Sequence, residues 1–217
     1  MDFNALFQFL KELQLNNSRL WMDANRNRYR QLRLSFMHWL EELDFKLAAA
    51  DPDYQHTPAD KAVNRINNNL KFHPGKAVYK DHFGAALDKV PGTGDFYIQI
   101  GINESLLAGG LWRTAPGVLR SVRDAIDYNG QELEKILGQK SFKDTFGGLY
   151  EDERLQTAPK GFSRDHPYIH LLRNKTFAVV HRLSRDTVLE ADFTAHVVQV
   201  YMEMLPFRRY LNQAITV

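Results

Sequence analysis

Between Phe96 and Arg113 the sequence spells out a hairpin, and that stretch constrains the fold more than any other. Phe96, Ile98 and Ile100 alternate with Tyr97 and Gln99, the two-residue period of a strand with one buried face. Asn103-Glu104-Ser105 supplies a turn, and Leu106–Arg113 returns alongside. Strands joined so tightly must run antiparallel, because a parallel pair needs a long crossover. Thr176–Leu183, TFAVVHRL, is β-branched and apolar enough for a further strand. Most of the remaining pattern is helical, and strands do not alternate regularly with helices. The expected fold is therefore α+β, a helix-rich single domain spanning 1–217 with a small, mostly antiparallel sheet.

Phe3, Leu6, Phe7, Leu10 and Leu13 form one stripe of an amphipathic helix over 3–14. Ser18 offers a cap for a long helix running to Ala50, which Asp51-Pro52 ends. Thr57 and Pro58 start a short helix expected to reach Ile66. A short helical pattern falls near 80–89, and Pro91-Gly92-Thr93-Gly94 reads as a turn. Thr114 is the expected cap of a helix carrying Leu119, Val122 and Ile126, and Gln131–Leu137 reads as another that stops at Gly138. Asp165-His166-Pro167 opens a short helix to about Arg173. Asp192–Ala214 forms the last helix, which Pro206 should kink or split.

The absence of cysteine excludes disulfides, thiolate metal sites and a cysteine nucleophile. No run approaches the roughly 20 apolar residues that cross a bilayer, so no membrane partner is expected. The opening MDFNALFQFLKELQ has no basic leader before an apolar block, which makes a signal peptide unexpected and the cytoplasm the default location.

A net charge of +2 conceals strong segregation. Lys61–Lys80 holds five bases and no acid, while Arg19–Arg33 holds five arginines against Asp23. Gly109–Arg123 holds three bases and no acid, and Lys160–Arg182 five against Asp165. Glu41–Asp60 and Asp124–Arg154 carry the compensating acids. Such layouts create local positive potential at low total charge.

Lys76 and Lys80 flank Tyr79 in a loop containing Pro74-Gly75, where ammonium groups and backbone amides can gather round an anion. Gly109-Gly110 stands just before Trp112-Arg113 at a strand end, with a helix N-terminus expected beyond it; tight backbone packing explains such a pair equally well. Gly92-Thr93-Gly94 precedes a strand rather than following one, so it lacks the dinucleotide-binding context. His166 and His170 are spaced to share a helix face, but no carboxylate motif completes a metal site, and none is expected. No nucleophile elbow, P-loop or zinc-protease motif occurs, so no catalytic residue and no cofactor is named by the sequence.

Several of these stretches together resemble a bacterial and fungal family known as domain of unknown function 2461. They are Asn16-Asn17-Ser18-Arg19-Leu20-Trp21 with Asn25-Arg26 and Tyr29, then Arg65-Ile66, Phe72, Lys76 and Tyr79-Lys80. Gly109-Gly110-Leu111-Trp112 follows with Leu119 and Arg123, and the match is densest at Ala158-Pro159-Lys160-Gly161-Phe162, Asp165-His166-Pro167 and Leu171-Leu172-Arg173. The family's central pattern is Arg-Ile-x-Arg-Asp-x-Arg-Phe followed by Asp-Lys-x-Pro-Tyr-Lys. This chain departs from it at Asn68, Asn69, Lys71, Gly75 and Val78. The resemblance implies no activity. The chain keeps Arg65, Lys76 and Lys80 and loses the pattern's acids at Asn69 and Gly75, which favours anion binding over acid–base catalysis.

The first expectation is a small anionic, phosphate-bearing ligand held in a basic pocket by Arg65, Lys76, Tyr79, Lys80, Gly109, Gly110, Arg123 and Lys160. An enzyme, hydrolase or transferase, acting on such a ligand through His73, Asp165 or His166 is the second. Nucleic acid bound along the Arg26–Arg30–Arg33 face and the basic loops ranks third, and a protein–protein scaffold remains open.

Overall fold

In a computed structural model, which describes residues 1–90, 92–152 and 154–215, the first amphipathic stripe folds as expected. Helix α1 (Phe3–Leu15) buries Leu6, Phe7, Phe9, Leu10 and Leu13. The long helix expected from Ser18 to Ala50 is two helices, α2 (Arg19–Ala24) and α3 (Arg26–Ala50). Ser18 caps α2 by accepting the Trp21 N–H. The break falls at Asn25, whose side-chain amide donates to the Trp21 carbonyl at 2.9 Å and whose backbone leaves helical geometry. Helix α3 ends at Asp51, before the proline.

Helix α4 (Ala59–Ala62) is capped by Pro58 rather than Thr57 and stops well short of Ile66. Val63 instead bridges Ala85 in antiparallel fashion, so tertiary pairing ends the helix. Strand β1 (His82–Leu87) stands where a short helix was expected. Its alanines and leucine suit a helix, but Phe83–Leu87 is buried at every position, and a strand covered on both faces has no alternation to read. Gly84 admits its neighbour, for a Cβ there would lie 2.6 Å from the Tyr97 hydroxyl.

Strands β2 (Phe96–Gly101) and β3 (Ser105–Leu111) form the expected hairpin, and β4 (Phe177–Leu183) matches the expected third strand. The sheet is antiparallel, ordered β1-β2-β3-β4. In the turn before β2, the Thr93 N–H donates to the Val90 carbonyl; Pro91 lies outside the described residues.

Helix α5 (Pro116–Gly138) joins two stretches read as separate helices, with Asn129 non-helical between them; Ala115 rather than Thr114 stands at its cap. Helices α6 (Lys140–Phe146) and α7 (Ile169–Leu172) follow. The latter is shorter than expected, because His166 accepts the Tyr168 N–H at 3.1 Å and holds 166–168 as a turn. A helix not expected from the pattern, α8 (Arg185–Leu189), is capped by Ser184. Helix α9 (Phe193–Ile215) carries Pro206 inside it without being split. Among the described residues the architecture is thus helix-rich α+β.

The chain divides into two compact units, each assembled from three stretches: 1–88, 97–107 and 182–198 for unit 1, and 89–96, 108–181 and 199–217 for unit 2. Unit 1 is built round aromatic rings. Trp39 stacks on Phe193 at 5.7 Å and donates its indole N–H to Thr194, while Phe36 and Tyr29 both meet Phe83 edge-on. Unit 2 packs Val122, Ile126 and Leu133 of α5 in its interior, and Phe142 meets Phe207.

Candidate functional site

In unit 1, backbone pairing explains why bases distant in sequence become neighbours. The Lys80 N–H donates to the Ile66 carbonyl at 2.8 Å, Asn67 bridges Tyr79, and the Asn68 N–H donates to the Val78 carbonyl at 3.0 Å. Residues 66–68 are therefore paired antiparallel with 78–80, and the intervening residues form an exposed tip from Lys71 to Ala77. Asn68 closes this tip by donating its side-chain amide to the Ala77 carbonyl at 2.9 Å.

The register sets Lys80 beside Arg65, and the Lys80 ammonium donates to the Arg65 carbonyl at 2.9 Å. Burial holds the Lys80 pKa below the ordinary lysine range, and the charges of Arg65 and Lys76 lower it further. Tyr79, between Lys76 and Lys80, is buried and anchored on both sides of its backbone by Asn17: its N–H donates to the side-chain oxygen at 2.9 Å, and its carbonyl accepts from the side-chain nitrogen at 3.0 Å. Four of the expected ligand residues, Arg65, Lys76, Tyr79 and Lys80, thus occupy one anchored segment.

The other four, Gly109, Gly110, Arg123 and Lys160, belong to unit 2, where the glycines admit close neighbours and the Arg123 side chain and the Lys160 carbonyl form hydrogen bonds. Gly110 has φ +106°, and a Cβ there would lie 2.3 Å from the Phe177 carbonyl oxygen; at Gly109 it would meet the Met204 sulfur at 2.2 Å. The Arg123 guanidinium donates to the Leu172 and Asn174 carbonyls at 2.8 and 3.1 Å, satisfying the end of α7. Burial, and then the Arg120 charge, lower its pKa. The Lys160 carbonyl accepts from Arg120, whose guanidinium sits 5.0 Å from the Phe162 ring centre.

Both ring nitrogens of His166 are engaged, one with Asp127 at 2.8 Å and one with the Tyr168 N–H. His170 faces Glu134 at 3.1 Å, so the two histidines turn to different carboxylates. No cluster of three or more metal-ligating side chains occurs among the described residues. Along α3, Arg26 of the arginine face pairs with Asp23, and Arg28, off that face, pairs with Glu12, which lowers the Glu12 pKa.

Two features were not anticipated. Asp44 is buried and receives the Tyr54 hydroxyl, the His56 ring and the Thr57 N–H, although the His56 side chain is 68% exposed. Arg208 is also buried, and two of its nitrogens donate to the Gly94 carbonyl at 3.2 and 2.8 Å. The available signal was the same for both. Asp44 sits among Leu40, Leu43 and Leu47, and Arg208 among Met204, Phe207 and Leu211, charged residues at positions on an apolar stripe.

Unit 2 contains cavities among its described residues. One of about 400 Å³ is lined by residues including Glu134, Lys143, Arg154 and His170, and one of about 730 Å³ lies beside α5 and α9. A family model described as a conserved hypothetical protein, DUF2461, matches residues 5–210. No curated protein and no solved structure matches the chain.

Proposed function

The chain belongs to the DUF2461 family, and from that premise we propose that it binds a small anionic, phosphate-bearing ligand at Arg65, Lys76 and Lys80. The observation that carries this reading is a half-buried ammonium that donates to the Arg65 carbonyl and feels the positive charges of Arg65 and Lys76. A cation in that setting gains most from an incoming anion, which relieves the mutual repulsion and forms charge-assisted hydrogen bonds. Arg65 adds a planar fork suited to phosphate oxygens, and the exposed tip leaves Lys76 open to solvent. The anchoring of Tyr79 by Asn17 supports the reading by fixing the backbone between the two lysines. The acid–base reading gains no such support from His166, whose ring nitrogens are both committed.

Calorimetric titration with pyrophosphate tests the proposal. The Lys76→Ala/Lys80→Ala double variant should bind at least tenfold more weakly than the parent chain, with its circular dichroism unchanged. Equal affinity in the two proteins would remove the proposal.

A further inference from the structure

Helices α5 and α9 each carry an irregularity, and both irregularities border the same cavity of unit 2. Asn129 departs from helical geometry within α5, with φ −141° and ψ 45°. Pro206, which has no N–H to give the carbonyl one turn back, lies within α9. Both residues line the cavity of about 730 Å³, a size that accommodates small organic ligands. Helix irregularities concentrate where a backbone is adapted to a ligand, so their coincidence here is informative.

The chemistry of the wall narrows the ligand. Asp124 and Glu132 bring two carboxylates against one guanidinium, that of Arg209. Asp124 is partly neutralised by Arg120 at 2.9 Å, whereas Glu132 meets Lys135 only at 3.9 Å. The Glu132 charge also reaches the Tyr210 phenol: burial first, and then that carboxylate and Tyr168, push the Tyr210 pKa up to about 12. The Tyr210 hydroxyl donates to the Asn129 carbonyl at 3.2 Å, at the break that ends the first stretch of α5. The negative end of that stretch's dipole adds to the field of the carboxylates. Tyr128, 93% exposed, presents its aromatic ring at the same wall. Carboxylate, carbonyl and ring face together suit a positive charge, and Ile136 and Pro206 suit an apolar body behind it.

We propose that this cavity binds an organic ammonium, an amine carried on an apolar body, with Glu132 as its counter-ion. The site is independent of the Arg65–Lys80 segment and takes the opposite charge, so the two proposals succeed or fail separately.

The test titrates the full chain with benzylammonium, benzyl alcohol and benzoate, following heat and amide chemical shifts. Benzylammonium should bind and shift resonances near Tyr128, with benzyl alcohol and benzoate each at least tenfold weaker. Glu132→Gln should reduce benzylammonium affinity at least tenfold while leaving pyrophosphate affinity unchanged. A second variant, Ala125→Phe, fills the cavity from α5 and should abolish binding without altering the charge. The proposal is overturned if benzylammonium does not bind, if the neutral or anionic probe binds as tightly, or if binding survives either substitution in a folded protein.

Discussion

The side-chain amide of Asn17 holds the backbone of Tyr79 by both of its polar groups, one hydrogen bond in each direction at 2.9 and 3.0 Å. A side chain here does the work of a neighbouring strand. Replacing it with alanine deprives both backbone groups of that partner. Asn17→Ala should cost about 1–3 kcal/mol, read as a lower urea midpoint with an unchanged slope. It should also weaken pyrophosphate binding, because Lys80 is the next residue.

The paired glycines of β3 should respond unequally to alanine. At Gly110 the positive φ and the fixed Phe177 carbonyl leave no room to adjust, and the loss should be about 3 kcal/mol or more. At Gly109 the obstructing atom is the end of a flexible methionine, which can swing aside, so the loss should be about 1–2 kcal/mol. Thermal denaturation of the two variants would distinguish them; equal losses would contradict this account.

Lys80 carries a pH signature. Its folded pKa lies below its unfolded value, so between the two the unfolded chain holds more protons and stability rises with pH. Below the folded pKa the full unfavourable contribution of the charged form is present. At neutral pH, Lys80→Gln should therefore leave the melting temperature unchanged or slightly raised, while weakening anion binding. With sulfate, whose charge stays constant over this range, affinity should fall as pH rises through the lowered lysine pKa. That step should vanish in Lys80→Gln.

Tyr210 behaves in the opposite sense. Its folded pKa of about 12 lies above the ordinary tyrosine value of 10.0, so its contribution is fully present below the unfolded pKa and is lost as pH rises through the folded one. Burial raises Tyr29 and Tyr97 as well, so ultraviolet titration should show several tyrosines ionising late, and Glu132→Gln should bring the Tyr210 step earlier by removing a nearby negative charge. An unchanged titration would show that the carboxylate does not reach the phenol.

The parts of this fold that the sequence displays are those with one face buried. The β2–β3 hairpin and α1 show their periods openly, and both form where expected. Strand β1 was hidden because it is buried throughout, which removes the alternation. The early end of α4 was hidden because its cause is a bridge to Ala85, a residue far along the chain. For the candidate site, the acid-free run from Lys61 to Lys80 was visible, and the structure supplies the register that draws Arg65 to Lys80. The cavity beside α5 and α9 left no motif, since its residues come from two distant helices whose exposed faces look ordinary in sequence. Asn129 and Pro206 were legible one at a time; that they border a common cavity was not.

The register of 66–68 against 78–80 has a consequence for how this segment can change. The two legs are stapled by their own backbone, and Asn17 holds the second leg at Tyr79, so Arg65 and Lys80 keep their spacing whatever is carried between them. Swapping residues 69–77 for a shorter turn would take Lys76 away yet leave the base of the loop intact. The tip is an interchangeable attachment on a fixed mount: its length sets how far a cation reaches, and its composition can drift without disturbing the pair beneath.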